Sequence, residues 1–313
     1  MKAGVFCHNG LGDGINCLVL SDLLHLNGFD VTTYQNTIGS MQNWFPHLPV
    51  HPYPSMDALP EILQAYDYYF VVHNDASEFV RTLILEGKRC NPKRMKVIYL
   101  YPSPHIVNEP YYGDCLTNPS VPVAENMRIL ASRVMGLPRI PERSPFVVPP
   151  DLVFRAHPQR IVVHPTSGRS SKNWPQNKFV KLALHLKARG FELVFVPGFR
   201  ALHEWQWLEA QGISVVDFAT LDALARFIYE SGYLIGNDSG LAHMASALGL
   251  KTLTICRRQA VAKMWAPSFV KGQVLTPPRL IPNIRGLRLR DRHWHRFIGV
   301  GAARRAFAKL LVS

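Results

Sequence analysis

The chain has 313 residues, 47% of them hydrophobic, and carries 35 Lys and Arg against 22 Asp and Glu, a net charge of +13. That is apolar material for two cores, and the basic balance calls for anionic partners such as phosphates or a membrane surface. Five scattered cysteines (Cys7, Cys17, Cys90, Cys115, Cys256) with no C-x-x-C pair argue against a disulfide framework or structural zinc, and no apolar run approaches the roughly 18 residues of a spanning helix.

Strand and helix patterns alternate along the chain. Ala3–Cys7 reads as a short apolar strand and Ile15–Leu26 as a helix; Val31–Tyr34, Tyr68–His73 and Lys96–Tyr101 read as further strands, with helices at Ser77–Glu86 and Ala124–Met135. The stretch LPRIPERSPFVVPP from Leu137 to Pro150 is too rich in proline for a helix or a central strand and reads as a linker. Alternation then resumes with strand Arg160–His164, helix Gln176–Arg189, strand Glu192–Val196, helix Ala201–Gln211, strand Ser214–Val216 and helix Leu221–Ser231. From Tyr233 to Ile255 the sequence describes a buried strand, a polar turn, a helix of small residues and a second buried strand. Gly301–Leu311 is a basic terminal helix with room to pack back on the first domain.

Repeated β and α units imply parallel sheets covered on both faces. The expected fold class is therefore α/β, with two doubly wound Rossmann-like domains facing a central cleft. The expected division is an acceptor-side domain over 1–140, a linker over 141–151, a nucleotide-sugar-binding domain over 152–295 and a terminal helix over 296–313.

Ligands of such sheets bind beyond the carboxyl ends of the strands, which directs attention to three loops. The first, His8 to Gly14, fails as a dinucleotide fingerprint because the third glycine of G-x-G-x-x-G falls on Ile15. Asp13 there is either a helix cap or a carboxylate aimed at a substrate as general base, and spacing does not choose between them. The second, HPTSGRSSKNWP from His164 to Pro175, carries hydroxyls and the cations Arg169 and Lys172, chemistry suited to a pyrophosphate; it is not a Walker A loop. The third is the turn Asn237-Asp238-Ser239-Gly240. It ends a strand and opens a helix, so unpaired N–H groups and the helix dipole favour a phosphate, with His243 on the first helical turn. Its serine stands one place late for a nucleophile elbow. Secretion, which would make Asn237-Asp238-Ser239 a glycosylation site, is not expected, and no metal-ligand spacing is read from the sequence.

Taken together, HPTSGRSSKNWP, FVPG, NDSGLAHMASALGLKTLTI, Trp265-Ala266-Pro267 and the N-terminal GLGDG resemble glycosyltransferase family 9, the ADP-heptose:lipopolysaccharide heptosyltransferases. The resemblance is strongest from Arg160 to Pro267. It implies the GT-B fold and an inverting transfer without a bound metal or other cofactor, the nucleotide sugar being substrate. It implies Asp13 as the base that deprotonates the acceptor hydroxyl and Lys172 as the catalytic cation beside the leaving diphosphate. Gly12, Thr166, Ser167, Gly198, Asp238, Ser239, Gly240 and His243 are implied as donor-binding residues. The sequence departs from the family in lacking a proline after Asp13, where Leu18-Val19-Leu20 stands, and in its tail rich in Arg and His.

The resulting expectation is a cytoplasmic enzyme that moves heptose from ADP-heptose onto a lipopolysaccharide core. Its partners would be a nucleotide sugar and an anionic glycolipid, with peripheral contact at the inner face of the cytoplasmic membrane. Lys93, Arg94 and the C-terminal arginines are candidate acceptor contacts. The alternatives are a GT-B enzyme with another donor or a protein acceptor, a sugar-nucleotide epimerase, and an inactive sugar-nucleotide-binding relative. The dispersed charge carries no nucleic-acid motif, so no nucleic acid is expected.

Overall fold

The computed structural model describes residues 1–74, 76–101, 115–138, 143–283 and 288–312. Short runs of β-branched and aromatic residues, buried on both faces, make the strands, and amphipathic stretches between them make the covering helices. The chain divides into two units, Met1–Val147 and Val148–Ser313. In the first, the elements are β1 (Lys2–Phe6), α1 (Leu11–Leu26), β2 (Asp30–Tyr34), β3 (Val50–His51), α2 (Leu59–Ala65), β4 (Tyr68–Val72), α3 (Glu78–Cys90), β5 (Met95–Tyr99), β6 (Cys115–Leu116) and α4 (Val123–Met135). The second begins with β7 (His157–His164), α5 (Gln176–Lys187), β8 (Glu192–Phe195), α6 (Leu202–Trp205), β9 (Ser214–Val215) and α7 (Leu221–Tyr229). It continues with β10 (Ser231–Asn237), α8 (Gly240–Ala247), β11 (Lys251–Ile255), α9 (Gln259–Trp265), β12 (Gln273–Leu275), α10 (Leu289–Arg292), α11 (Trp294–Phe297) and α12 (Val300–Val312).

Each unit holds a six-stranded sheet, ordered β3-β2-β1-β4-β5-β6 in the first and β12-β11-β10-β7-β8-β9 in the second. Every strand pairing is parallel. Counted from its own first strand, each sheet has the doubly wound order 3-2-1-4-5-6. The order reverses between β1 and β4 and between β7 and β10, and these are the switch points where such sheets take ligands. The two doubly wound parallel sheets agree with the α/β expectation.

In the first unit Phe6, Tyr69, Val71, Val97 and Tyr99 pack against Val80, Leu83 and Ile84 of α3. In the second, Ile161, Val163, Phe195, Ile235 and Leu253 form the sheet's share of a core completed by Phe179, Trp205 and Phe307.

One expectation changes. The helix expected over Ala201–Gln211 is broken: α6 stops at Trp205 and a 3-10 segment, Gln206–Gln211, carries on to Gly212 in a left-handed turn. The apolar face of the terminal helix α12 belongs to the core of its own unit. Ala303, Ala306, Phe307 and Leu310 lie on one stripe and enter the second unit's core, with Phe307 edge-on to Phe191 and Tyr233 at 5.4 and 5.3 Å between centroids. The linker is tied down along its described part. Arg143 donates to the buried Asp22 carboxylate at 2.8 and 2.6 Å, and Phe146 packs on Trp44 and Phe45. Asp151, on the other side of the division, pairs with Arg226 of α7 at 2.6 Å. Positions 139–142 of the linker lie outside the described residues.

Candidate functional site

In the second unit, the loops after β7 and β10 flank the switch point. Asn237 closes β10 and is fully buried. Its amide Nδ2 donates to the Pro165 carbonyl at 2.6 Å, and its Oδ1 accepts from the Trp174 N–H at 2.9 Å, so one side chain clasps both ends of the 165–174 loop. The loop is held from below as well: the Trp174 indole donates to the Ile298 carbonyl at 2.9 Å, and the Trp294 indole to the Ser171 carbonyl at 3.2 Å. The C-terminal segment, unmatched by sequence reasoning, thus supports this loop.

Held in this way, the loop brings Lys172 Nζ to 3.4 Å from Asp238 Oδ2, with Lys172 41% exposed and Asp238 12%. A cavity of about 180 Å³ opens beside the pair, lined also by Arg169, Cys256, Arg257 and Arg258; it exceeds several times the roughly 30 Å³ share of one liquid water. Burial pushes the Cys256 thiol up to about 12, with the Asp238 charge adding to it, so Cys256 lines the cavity as a neutral group.

Ser239 is the N-cap of α8, yet its side chain makes no capping bond. Its Oγ is buried and lacks a hydrogen-bond partner. A buried hydroxyl left unpaired costs on the order of 1–3 kcal/mol, and the N–H groups of Gly240 and Leu241, the first two of α8, have no intrahelical acceptor either. A turn in that state is suited to receive an anion. Gly240 is the first residue of α8 and half-buried, whereas His243, in the same helix, is buried.

Thr166 and Ser167 lie in the loop, but their hydroxyls turn inward. Thr166 donates to the Pro197 carbonyl at 2.6 Å. Ser167 Oγ lies 2.9 Å from the Arg169 carbonyl and 2.7 Å from Asn173 Oδ1. Neither proton is left for a phosphate in this conformation; the two residues shape the loop. Gly198, after β8, has φ +79° and ψ 154°, a conformation that favours glycine. His164, fully buried, donates from Nδ1 to the Val196 carbonyl at 2.6 Å, and burial holds its pKa down, so it is a neutral structural histidine.

In the first unit, Gly10 is the N-cap of α1 and makes no side-chain cap, and Asp13 lies in the helix's first turn. Asp13 is therefore not the cap residue. Gly12 is buried in the same turn, where its carbonyl accepts from Asn16 Nδ2 at 2.8 Å. The Asp13 carboxylate folds back over Gly10: a Cβ there would lie 2.0 Å from Asp13 Oδ2. His8 Nδ1 stands 4.0 Å from Asp13 Oδ1. The His8 Nε2–H donates to the His73 carbonyl at 2.7 Å, across the gap between the loops after β1 and β4. Gln35 fixes the loop, donating to the His8 and Gly10 carbonyls at 2.9 and 3.1 Å. Sequence reasoning passed over His8, Gln35 and Arg257 as site residues; the carboxyl ends of β1, β2 and β11 were the available signal.

Lys93 and Arg94 precede β5 and so lie at the amino edge of the first sheet, opposite the edge that carries Asp13. A strand's leading turn is the wrong end for the ligand of such a sheet, which removes them as candidate acceptor contacts. Within the Arg- and His-rich tail, positions 284–287 lie outside the described residues. Among the described residues, no three or more His, Cys, Asp and Glu are grouped to hold a metal ion, and no helix is long and apolar enough to cross a membrane.

Residues 126–267 match the family model of glycosyltransferase family 9 (heptosyltransferase), a span that includes both loops of the second switch point. No curated protein matches by sequence. Among solved structures, Escherichia coli heptosyltransferase WaaC with ADP is similar at 15% identity and TM-score 0.68, over 99% of this chain and 100% of that one. E. coli ADP-heptose lipopolysaccharide heptosyltransferase II is similar at 17% identity and TM-score 0.69, over 100% and 99%. The family 9 glycosyltransferase of Veillonella parvula is similar at 16% identity and TM-score 0.70, over 99% and 97%. At these identities the likeness establishes the fold, which is GT-B, and the family resemblance read from the loops agrees with the family model.

Proposed function

We propose, for a chain of family 9 type over residues 126–267 and of heptosyltransferase fold throughout, that it moves a sugar from a nucleotide donor onto a hydroxyl with inversion. The donor on this reading is ADP-heptose and the acceptor a lipopolysaccharide core, reached at the inner face of the cytoplasmic membrane. The observation that supports it best is the second switch point: Lys172 against Asp238, beside a helix N-terminus whose Ser239 hydroxyl is buried without a partner.

In the proposed reaction the acceptor oxygen attacks the anomeric carbon while the bond from that carbon to the diphosphate breaks. Asp13 accepts the hydroxyl proton, and ADP departs with the electron pair. Lys172 and the α8 N–H groups stabilise the charge growing on the leaving diphosphate. No second carboxylate is needed for a single displacement. The net charge of +13 suits an acceptor bearing phosphates and carboxylates. Two solved neighbours add support, one a heptosyltransferase with ADP and one a heptosyltransferase with an ADP-heptose analogue.

Calorimetric titration with ADP, UDP and GDP, at fixed moderate salt and without added metal, tests the donor class. ADP is expected to bind most tightly. Tighter UDP or GDP binding would replace the donor, and binding of none of the three would sink the nucleotide-sugar reading.

Gly10→Ala tests the base with little disturbance of the fold. The Gly10 backbone, at φ −72° and ψ 145°, is open to alanine, and the obstruction is the far end of the Asp13 side chain. The carboxylate should move aside at a stability change within about 1 kcal/mol. A shift on the order of 1 Å at a reacting group can lower rate about a hundredfold. Turnover should fall by at least about tenfold while the melting temperature holds; full activity in the variant would remove Asp13 in this pose from the reaction.

A further inference from the structure

The turn between β11 and α9 presents two consecutive arginines at the carboxyl edge of the second sheet, next to the turn that carries Asp238. Arg258 is answered by the Asp291 carboxylate, Nε to Oδ2, at 3.3 Å. Arg257 is held differently: its Nε donates to the main-chain carbonyl of Asp291 at 3.1 Å, which orients the guanidinium without neutralising it. Both line the cavity that holds Lys172, Asp238 and Arg169.

The charges in this cavity can be paired off. Lys172 is matched by Asp238 and Arg258 by Asp291. Among the described residues Arg169 and Arg257 have no carboxylate partner within 4.0 Å, which leaves two uncompensated cations facing one cavity. A diphosphate diester, the linkage of every nucleoside-diphosphate sugar, carries two negative charges at neutral pH. A guanidinium offers such a group paired N–H donors in a fixed fork, and with Nε already engaged both Nη groups of Arg257 remain for it.

We propose that Arg257 is a diphosphate-binding residue of this crevice, acting with Arg169 to neutralise the linkage, and that the segment carrying Asp291 holds its guanidinium in place. This rests on the nucleotide-sugar reading above and assigns the groups that supply the countercharge. On this basis the two guanidinium groups supply the countercharge of the diphosphate, beside Lys172 and the α8 N–H groups. It discriminates nucleoside diphosphates from monophosphates, since two cations answer two phosphates.

The test is titration of wild-type protein, Arg257→Ala and Arg257→Lys with ADP, AMP and inorganic pyrophosphate, with thermal melting as the check of folding. Arg257→Ala should weaken ADP about tenfold or more, the range for a charge-assisted hydrogen bond, and weaken AMP by much less. Arg257→Lys should recover part of the loss, because a point charge replaces the fork. Equal ADP affinity in wild type and a folded Arg257→Ala variant would overturn the assignment. If wild type bound no nucleotide, the donor reading would fall, and pyrophosphate would decide this one separately. Pyrophosphate binding that is lost in Arg257→Ala would sustain a diphosphate site, and the absence of pyrophosphate binding to wild type would end it.

Discussion

Replacing Asp13 by Ala should lower turnover by about two to four decades, the span typical of losing a general base, while ADP affinity stays within about twofold. The separation of the two effects follows from the layout. Asp13 belongs to the first unit, on α1, whereas the cavity expected to hold the diphosphate is built wholly from the second. A loss of stability cannot imitate this result. Asp13 is not the N-cap of α1, and a carboxylate in the first turn contributes about 0.3–1 kcal/mol through the helix dipole. Asp13→Asn should behave alike, since an amide keeps the volume and loses the basicity. If ADP affinity and turnover fell together, the carboxylate would be shaping the first turn rather than accepting a proton.

Lys172→Ala should weaken ADP by about two decades and lower turnover besides. Two effects act in the same direction. The charged hydrogen bond lost to a phosphate is worth about 1.5–3 kcal/mol. In addition Asp238, 12% exposed and 3.4 Å from Lys172 Nζ, would be left without its cation close to an incoming anion. A partial cancellation is therefore expected in the double variant Lys172→Ala with Asp238→Asn, where the stranded charge is gone. Unchanged ADP affinity in the single variant would take Lys172 out of the phosphate site.

How much of this was legible beforehand depends on the scale of the feature. The long buried strands carry a pattern strong enough to read, and β7, β8, β10 and β11 fall where the apolar runs stand. Among the short edge strands only β9 was legible, as Ser214–Val216; β3, β6 and β12, two or three residues long, carry no periodicity and are defined by their pairing partners. Loops were legible as locations and not as orientations. Thr166 and Ser167 are hydroxyls at the right strand end, but carbonyls and an amide within reach claim their protons. Asn237 reads as a turn residue, whereas its real work is to clasp a loop that begins some seventy residues earlier. The break after α6 belongs to the same class, a local departure that propensity alone does not foresee.

The two units repeat one winding, strand for strand, with no trace of a repeat in the sequence. Yet the two switch points carry opposite chemistry: cations at the second, a carboxylate and imidazoles at the first. For the proposed reaction this partition resolves a conflict. A field positive enough to hold a diphosphate lowers the proton affinity of any carboxylate within it, so a base placed among Arg169, Lys172 and Arg257 would be a weak one. Giving each demand its own sheet lets electrostatic potential be set twice in one molecule, once for grip and once for basicity.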